Sequence, residues 1–240
     1  MQASAIVVAG GSGARMGFSV EKPFIDVCGI PMLLFSLEAF QRCEAVSEIV
    51  LVLFKGGEQR LRSLAKMPAA RMERFSKLTR TVQGGPRRQD SVFNGLLACS
   101  EKADIIVVHD AARPVLPVEW IASGIEALGD CAGAVYATLV TNTLKRVGPD
   151  RIVRETIPRE ELYEVQTPQI FGKDWLVRAH EHARAEDLAA TDDAELVEAI
   201  GGKIRILPGH PWNLKITFED DLVVANALLG KRSREWFVSE

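Results

Sequence analysis

Short runs of apolar residues, many of them β-branched, alternate along the chain with stretches in which apolar residues recur at helical spacing. Strands are predicted at 5–8, 48–54, 79–82, 105–108, 133–140 and 203–207, and helices at 32–42, 58–66, 88–100, 118–128, 173–184, 192–200 and 219–229. The predicted strands are nearly all apolar, which is typical of a parallel sheet covered by helices on both faces. The pattern therefore predicts an α/β fold with a mostly parallel sheet.

One segment, at about 142–166, interrupts this rhythm. Two half-apolar runs, at 144–147 and 151–154, flank the turn sequence Gly148-Pro149-Asp150. This arrangement predicts a β-hairpin, and we expect it to project from the main body as an arm. Because exposed strand edges usually need a partner to cover them, the arm also predicts contact with a second chain.

Length and composition favour a single domain over residues 1–240. The chain is 47% hydrophobic, which is enough for one large core, and no apolar run reaches membrane-spanning length. A net charge of −3 gives no overall attraction to nucleic acid or to an anionic membrane, so an anion site must come from a local cluster of cations. The four cysteines lie far apart, which argues against a zinc site or a disulfide framework and predicts a cytoplasmic location.

A glycine-rich loop directly after the first predicted strand is the clearest candidate for binding phosphate. The loop comprises Ala9, Gly10, Gly11, Ser12 and Gly13, and two cations follow it, Arg15 and Lys22. Glycines let backbone N–H groups approach phosphate oxygens, and the cations add charge, so the loop indicates a triphosphate cradle. It matches neither a Walker A loop nor a dinucleotide fingerprint. The alternative is a flexible turn between a strand and a helix.

A second candidate, His109-Asp110-Ala111-Ala112-Arg113-Pro114, follows the strand predicted at 105–108. Ligands of open α/β sheets bind at the carboxyl ends of strands, and an acidic residue there can hold Mg²⁺. We favour metal binding for Asp110 and packing for His109. The alternative for Asp110 is a cap on the next turn.

Three further segments carry polar groups. The glycine turn at 84–91 opens a helix and can present backbone amides, Arg88 and Ser91 to an anion or a base edge, although a plain helix start fits as well. Gln166-Thr167-Pro168-Gln169 ends the arm and is expected to be a turn. Lys215 is predicted within a short apolar strand at 213–217, where a lysine is costly unless it meets an anion.

Taken together, these segments resemble the 2-C-methyl-D-erythritol 4-phosphate cytidylyltransferase family, and the match runs nearly end to end. Its specific parts are the glycine loop with its cations, the segments at 84–91, 109–114 and 166–169, Thr-Asp-Asp-Ala at 191–194, and Asn-Leu-Lys-Ile-Thr at 213–217. The resemblance implies a Rossmann-like nucleotidyltransferase fold whose β-arm embraces a second subunit. It also implies a homodimer that uses CTP and a polyol phosphate.

The resemblance implies roles for individual residues. The backbone of residues 9–13 would wrap the CTP triphosphate, and Arg15, Lys22 and Lys215 would hold phosphates at the reacting centre. Asp110 would bind Mg²⁺ or another divalent cation. The cytidine pocket would include Gly85, Arg88, Ser91 and Ala111. The polyol phosphate would be held by Lys215 and, from the partner's arm, by Thr143, Arg159 and Thr167.

Two alternative functions stay open at the level of sequence. Asn142 stands before Thr143, where we expect an acidic residue, and this leaves room for another polyol, such as ribitol 5-phosphate. A silent nucleotide-binding scaffold is the alternative of a different class. Lys22, Asp110 and Lys215 argue against it, since a binding module has no evident need for cations around an α-phosphate.

Overall fold

The computed structural model describes residues 2–10, 21–64 and 72–237, and its centre is a twisted β-sheet with helices on both faces. In chain order the strands are β1 (Ala3–Ala9), β2 (Asp26–Val27), β3 (Ile30–Pro31), β4 (Val46–Leu53), β5 (Leu78–Gln83), β6 (Ile105–Asp110), β7 (Gly133–Leu139), β8 (Leu144–Val147), β9 (Val153–Ile157), β10 (Tyr163–Gly172) and β11 (Ile204–Pro208). The helices are α1 (Met32–Arg42), α2 (Gly57–Leu64), α3 (Arg88–Ala98), α4 (Val118–Glu126), α5 (Lys173–Ala185), α6 (Asp193–Ala199) and α7 (Glu219–Phe237). Short 3-10 helices lie at Lys22–Phe24 and Met72–Arg74.

The main sheet has seven strands in the order β11-β7-β10-β6-β1-β4-β5. Neighbouring strands are parallel except at β10, which runs antiparallel to both β6 and β7. The strands β8 and β9 form a separate two-stranded sheet, and so do β2 and β3. The predicted α/β fold and its mostly parallel sheet are therefore confirmed.

The core consists of two apolar layers, one on each face of the sheet. Along β1, Ala5 and Val7 face the layer formed with α1, α4 and α7, whereas Ile6 faces the layer formed with α3, α5 and α6. Successive side chains of a strand point to opposite faces, so a strand buried on both faces needs the continuous apolar run seen in the sequence. Packing on both faces therefore holds the central strands, including β6 whose end carries the site described below.

The predicted turn at 166–169 is wrong, because these residues belong to β10. Pairing of β10 with β7 passes from Val165↔Ala137 to Gln169↔Val135, so the register skips the residues between Val165 and Gln169. That irregularity accommodates Pro168, which has no N–H to donate to a ladder. The three-residue interruption reads as a turn in the sequence although the strand continues through it.

Other details of the prediction also differ from the structure. The arm ends before 166, since Tyr163 already pairs with Leu139 of β7. Its second strand begins at Val153, two residues later than predicted, because Arg151 takes a left-handed conformation (φ 62°) in the turn. Residues 213–217 form an irregular loop instead of a strand, and α7 continues to Phe237.

Candidate active site

Polar side chains from four parts of the chain meet at the carboxyl end of β6. Asp110 is the last residue of β6, Arg88 is the first residue of α3, and Lys215 lies in the irregular loop before α7. Asp193, the first residue of α6, approaches from the opposite side of Arg88. This edge of the sheet is where the sequence places the candidate chemistry.

Asp110 lies between two cations. Its Oδ1 accepts a hydrogen bond from Arg88 Nε at 3.0 Å, and its Oδ2 accepts one from Lys215 Nζ at 2.7 Å. The Asp110 side chain is 9% exposed, whereas that of Lys215 is 42% exposed. The ammonium group of Lys215 therefore lies at the boundary between a buried carboxylate and solvent, where it can also reach an anionic ligand.

Arg88 bridges two carboxylates. Its Nη1 donates to Asp193 Oδ2 at 2.7 Å, in addition to the bond from Nε to Asp110. Its third nitrogen, Nη2, is buried and has no hydrogen-bond partner among the described residues. Arg88 thus holds Asp110 in a fixed orientation and keeps one donor available.

The charges of this cluster decide its protonation. Burial acts to raise the pKa of Asp110, but the positive charges of Arg88 and Lys215 outweigh it and hold that pKa far below its usual value. Burial acts to raise the pKa of Asp193, but Arg88 and His180 together outweigh it and lower that pKa. Burial acts to lower the pKa of Arg88, and the two carboxylates raise it nonetheless. Both carboxylates are therefore ionised near neutral pH.

A chain of hydrogen bonds fixes the backbone at Asp110. The Asp110 N–H donates to Thr167 Oγ1 at 3.1 Å, and Thr167 Oγ1 lies 3.0 Å from His109 Nδ1. His109 Nε2 lies 3.1 Å from the carbonyl oxygen of Arg113, which can only accept. Nε2 must therefore carry the proton, and Nδ1 accepts from the Thr167 hydroxyl. Burial lowers the pKa of His109 to about 4, in agreement with this neutral ring.

The loop that carries Lys215 is tied to the sheet by buried polar contacts. Arg113 Nη1 donates to the carbonyl oxygen of Asn213 at 2.7 Å, and Asn213 Nδ2 donates to that of Thr167 at 2.9 Å. Beside them, the Trp212 ring packs 5.2 Å from the ring of Trp120 in α4. Trp212 and Asn213, three and two residues before Lys215, are therefore both anchored.

The turn before α3 is crowded enough to require glycine. A Cβ on Gly84 would lie 2.7 Å from Ser91 Oγ, and one on Gly85 would lie 2.4 Å from the Cβ of Asp90. Gly85 N–H donates to Ser91 Oγ at 3.1 Å, which fixes the turn against the first turn of the helix. Gly10 lies nearby, since its own Cβ would be 3.6 Å from Ser91 Oγ. The end of the first glycine loop and the second glycine turn are thus neighbours.

A cleft of about 370 Å³ opens beside the cluster, at the root of the arm. The ends of β7 and β10 form its walls, and Arg113 and Lys215 supply positive charge. Thr138, Asn142, Glu164 and Gln166 add hydrogen-bonding groups. The chemistry of this lining suits a small ligand that carries both hydroxyl groups and a phosphate.

The structure brings together many of the residues predicted from the sequence. Six of them lie at the carboxyl edge of the sheet: Gly85, Arg88, Ser91, Asp110, Ala111 and Lys215. Gly11, Ser12, Gly13 and Arg15 lie outside the described residues, while Ala9 ends β1 and Lys22 begins the 3-10 helix that follows.

Thr167 does not lie on the arm, contrary to the prediction. It lies in β10, it is buried, and its hydroxyl contacts His109 and the backbone of Asp110. Thr143 and Arg159 do lie on the exposed arm, and Arg159 donates to the carbonyl oxygen of Thr141. The sequence-based placement of Thr167 failed because β10 was not recognised as a strand.

The chain matches a known protein family over most of its length. The family model for 2-C-methyl-D-erythritol 4-phosphate cytidylyltransferase matches residues 3–231. The chain belongs to this family. It is 42% identical over 233 residues to the 2-C-methyl-D-erythritol 4-phosphate cytidylyltransferase of Symbiobacterium thermophilum, covering 97% of this chain and 94% of the relative.

Solved structures of the cytidylyltransferase family share the fold. The 4-diphosphocytidyl-2C-methyl-D-erythritol synthase of Anaerococcus prevotii superposes with a TM-score of 0.80 at 30% identity, covering 95% of this chain and 98% of that one. The cytidylyltransferase of Thermus thermophilus superposes with a TM-score of 0.75 at 33% identity, with the same coverage.

Sequence reasoning assigned no role to Asp193 or His180. Asp193 Oδ1 lies 3.2 Å from His180 Nε2, and both side chains are buried. The available signal was the Thr-Asp-Asp-Ala segment at 191–194, which stood out only through the resemblance. Its connection to Arg88 spans 105 residues and is visible only in the folded chain.

Proposed function

We propose that the cluster around Asp110 is the active site at which this chain carries out the activity of its family, the transfer of the cytidylyl group of CTP to 2-C-methyl-D-erythritol 4-phosphate with release of pyrophosphate. The observation that carries the proposal is the half-exposed Lys215, held against a buried and ionised Asp110 at the mouth of a polar cleft. The names of the relatives favour the erythritol over ribitol, and an enzyme over a silent scaffold.

The reaction needs no general base. The attacking oxygen of a sugar phosphate is already ionised near neutral pH, so the protein has to align it for in-line attack on the α-phosphorus and offset the repulsion between two anions. Lys215 is the cation that the described site supplies directly, and Lys22 starts the segment after the glycine loop. Arg15, outside the described residues, is assigned to the same role on the resemblance.

Asp110 is the residue of the site that would bind a divalent cation, together with the substrate phosphates. Among residues 2–10, 21–64 and 72–237 there is no group of three or more His, Cys, Asp or Glu side chains that could hold a metal. Asp110 nevertheless offers an oxygen ligand that stays ionised, and Mg²⁺ is often bound by one or two carboxylates together with substrate phosphates. Asp110 would hold the ion, which would offset charge on the triphosphate.

We assign the cleft beside Lys215 to the polyol phosphate and the arm to a homodimer. The arm carries exposed apolar side chains, among them Val147, Ile152 and Val153, which water does not favour and a second copy would cover. Thr143 and Arg159 lie on this arm, so they would reach the site of the partner. The described residues contain no helix long and apolar enough to span a bilayer.

Replacing Lys215 tests the proposal. Lys215→Ala removes a charge that acts on the reacting phosphates, and we expect kcat to fall roughly 10²–10³-fold. Lys231→Ala is the matched control, since this exposed lysine pairs with Glu235 on α7, and its kcat should match the unmodified enzyme. Pyrophosphate release is measured with CTP, Mg²⁺ and either 2-C-methyl-D-erythritol 4-phosphate or ribitol 5-phosphate.

Two results would contradict the proposal. Normal turnover by Lys215→Ala would remove the cluster as the active site. Faster turnover of ribitol 5-phosphate than of the erythritol by the unmodified enzyme would overturn the substrate assignment.

A further inference from the structure

Asp193 lies deeper than any other charged group of the cluster and touches no open space. Its side chain is 0% exposed, and it contacts Arg88 of α3 on one side and His180 of α5 on the other. The cluster therefore contains two carboxylates and two cations, Arg88 and Lys215, of which only Lys215 reaches solvent substantially. A carboxylate placed this deeply has a role other than contact with substrate.

The position of Asp193 relative to Arg88 is fixed by contacts that do not involve either charge. Gln89, the next residue of α3, donates from Nε2 to the carbonyl oxygen of Leu188 at 2.8 Å and accepts from Ala190 N–H at 2.9 Å. The ring of His180 also stacks on Phe93 of α3, with centroids 5.8 Å apart. The segment before α6 and the helix α5 are both held against α3.

The start of α6 has its own cap. Asp192 Oδ1 accepts from Glu195 N–H at 3.0 Å, and Asp192 Oδ2 accepts from Gln169 Nε2 at 2.8 Å. The helix is therefore begun and anchored to β10 by Asp192, and Asp193 is not needed for either purpose. This separation gives two adjacent aspartates with different functions.

Stability alone does not explain the arrangement. Burying a carboxylate and a guanidinium costs several kcal/mol of desolvation, and apolar side chains of similar volume often stabilise a protein at least as well. A guanidinium, however, can hold two carboxylates at once in a planar fork. The bond to Asp193 leaves Arg88 no freedom to rotate away from Asp110.

We infer that Asp193 is a positioning residue for the reaction, acting through Arg88 to hold the Asp110 carboxylate toward Lys215 and the reacting phosphates. The inference rests on the proposed function, since it assumes that Asp110 faces the reacting phosphates. Without the second carboxylate, Arg88 would lose its anchor and could rotate away from Asp110. The Asp110 carboxylate would then no longer be held in one orientation toward Lys215 and the reacting phosphates.

The test compares Asp193→Asn with Asp192→Asn, the same substitution at the next position. Asn caps helices as well as Asp does, so Asp192→Asn should keep its kcat. Asp193→Asn should lower kcat about 10-fold or more and change KM for CTP less than about 3-fold, since the nucleotide contacts are intact. Equal losses in the two variants would show a general effect of α6 and would overturn the inference.

A double-variant cycle tests whether Asp193 acts through Arg88. In an Arg88→Gln background, Asp193→Asn should lower kcat no further, because its route to Asp110 is already gone. Multiplicative losses would overturn the inference. Arg88→Lys keeps the charge but cannot form the fork, so it should also lose kcat, and full activity in this variant would contradict the bridge even if Asp193→Asn fails to fold.

A crystal structure of Asp193→Asn without ligands gives a readout independent of activity. The separation of Arg88 Nε and Asp110 Oδ1, 3.0 Å here, should exceed hydrogen-bonding distance. An unchanged contact would overturn the inference. An unmodified enzyme that does not turn over CTP would instead overturn the proposed function, so the two failures are distinguishable.

Discussion

Glu48 shows how a single buried carboxylate connects three elements far from the active site. It begins the central part of β4 and accepts hydrogen bonds from Ser4 Oγ of β1 at 2.7 Å, Thr79 Oγ1 of β5 at 2.9 Å and the backbone N–H of Ser100 at 2.8 Å. Burial acts to raise its pKa, but these hydrogen bonds together outweigh burial and lower it. The ionised form is therefore the one that the fold stabilises.

The acid dependence of stability follows from Glu48. A carboxylate whose pKa is lowered by folding stabilises the protein above its unfolded pKa of about 4.3, and this stabilisation is lost as the pH falls through the folded pKa. Glu48→Gln should lower the free energy of unfolding by about 1–2 kcal/mol at pH 7 and by less at pH 3. Urea unfolding at both pH values measures the difference, and a deficit that stays constant with pH would contradict it.

Residue types in the sequence were enough to find Asp110 and Lys215 but not their partners. Asp110 stood out because an acidic residue at the carboxyl end of a strand can bind Mg²⁺, and Lys215 because a lysine among apolar residues needs a counter-charge. Nothing in the spacing says that Arg88 turns toward Asp110 and Asp193, since those contacts join residues 22 and 105 positions apart. The predicted contact of Arg88 with the cytidine base stays a prediction.

At the scale of elements, two helix glycines of the chain have opposite surroundings. In α3, a Cβ on Gly95 would lie 2.7 Å from Ile6 Cγ2 and 2.9 Å from Val52 Cγ2, both on stiff β-branched side chains of the sheet. In α7, a Cβ on Gly230 would meet nothing within 4 Å. The first glycine brings its helix close to the sheet, and the second does not.

The same substitution should therefore have opposite effects at these two positions. Gly230→Ala should raise the free energy of unfolding by about 0.5–1 kcal/mol through helix propensity. Gly95→Ala should lower it by about 1–3 kcal/mol, because the added methyl overpacks the contact between α3 and the sheet. Thermal unfolding of the two variants measures both effects, and a gain in both would show that α3 can move away from β1 without cost.

The elements that the sequence predicted well are those whose pattern is set by burial. The helix α1 begins and ends at its predicted residues, between Pro31 and Cys43, and Met32–Phe40 are all buried. β10 was missed because its Thr-Pro pair reads as a turn, and the loop at 213–217 was taken for a strand because Leu214 and Ile216 alternate with polar residues. Short apolar alternation also occurs in loops that pack on a core.

For the whole molecule, the proposed homodimer makes a quantitative prediction. If the arm completes the site of the partner, each site takes Lys22 from one subunit and Arg159 from the other. Lys22→Ala and Arg159→Ala should then each be inactive alone. Mixed dimers would contain one site with both lesions and one with none. Random exchange should then restore activity to about a quarter of the unmodified enzyme.

Exchange is verified by native mass spectrometry before activity is measured. Each site would keep one lesion if it were built within one chain, and mixing would then restore no activity. That outcome, with mixed dimers present, would contradict the shared site.

The long sequence separation within the ion cluster has a consequence for how the protein is made. Asp110 contacts Lys215 across 105 residues, and Arg113 contacts Asn213 across 100. During synthesis, the central strands β1, β4 and β6 emerge before the loop with Lys215, which follows Asp110 by 105 residues. Contacts between distant residues also slow folding, because a long segment must be ordered before they form. A nascent chain can therefore acquire much of its sheet while the ion cluster around Asp110 is still incomplete, because Lys215 follows Asp110 by 105 residues.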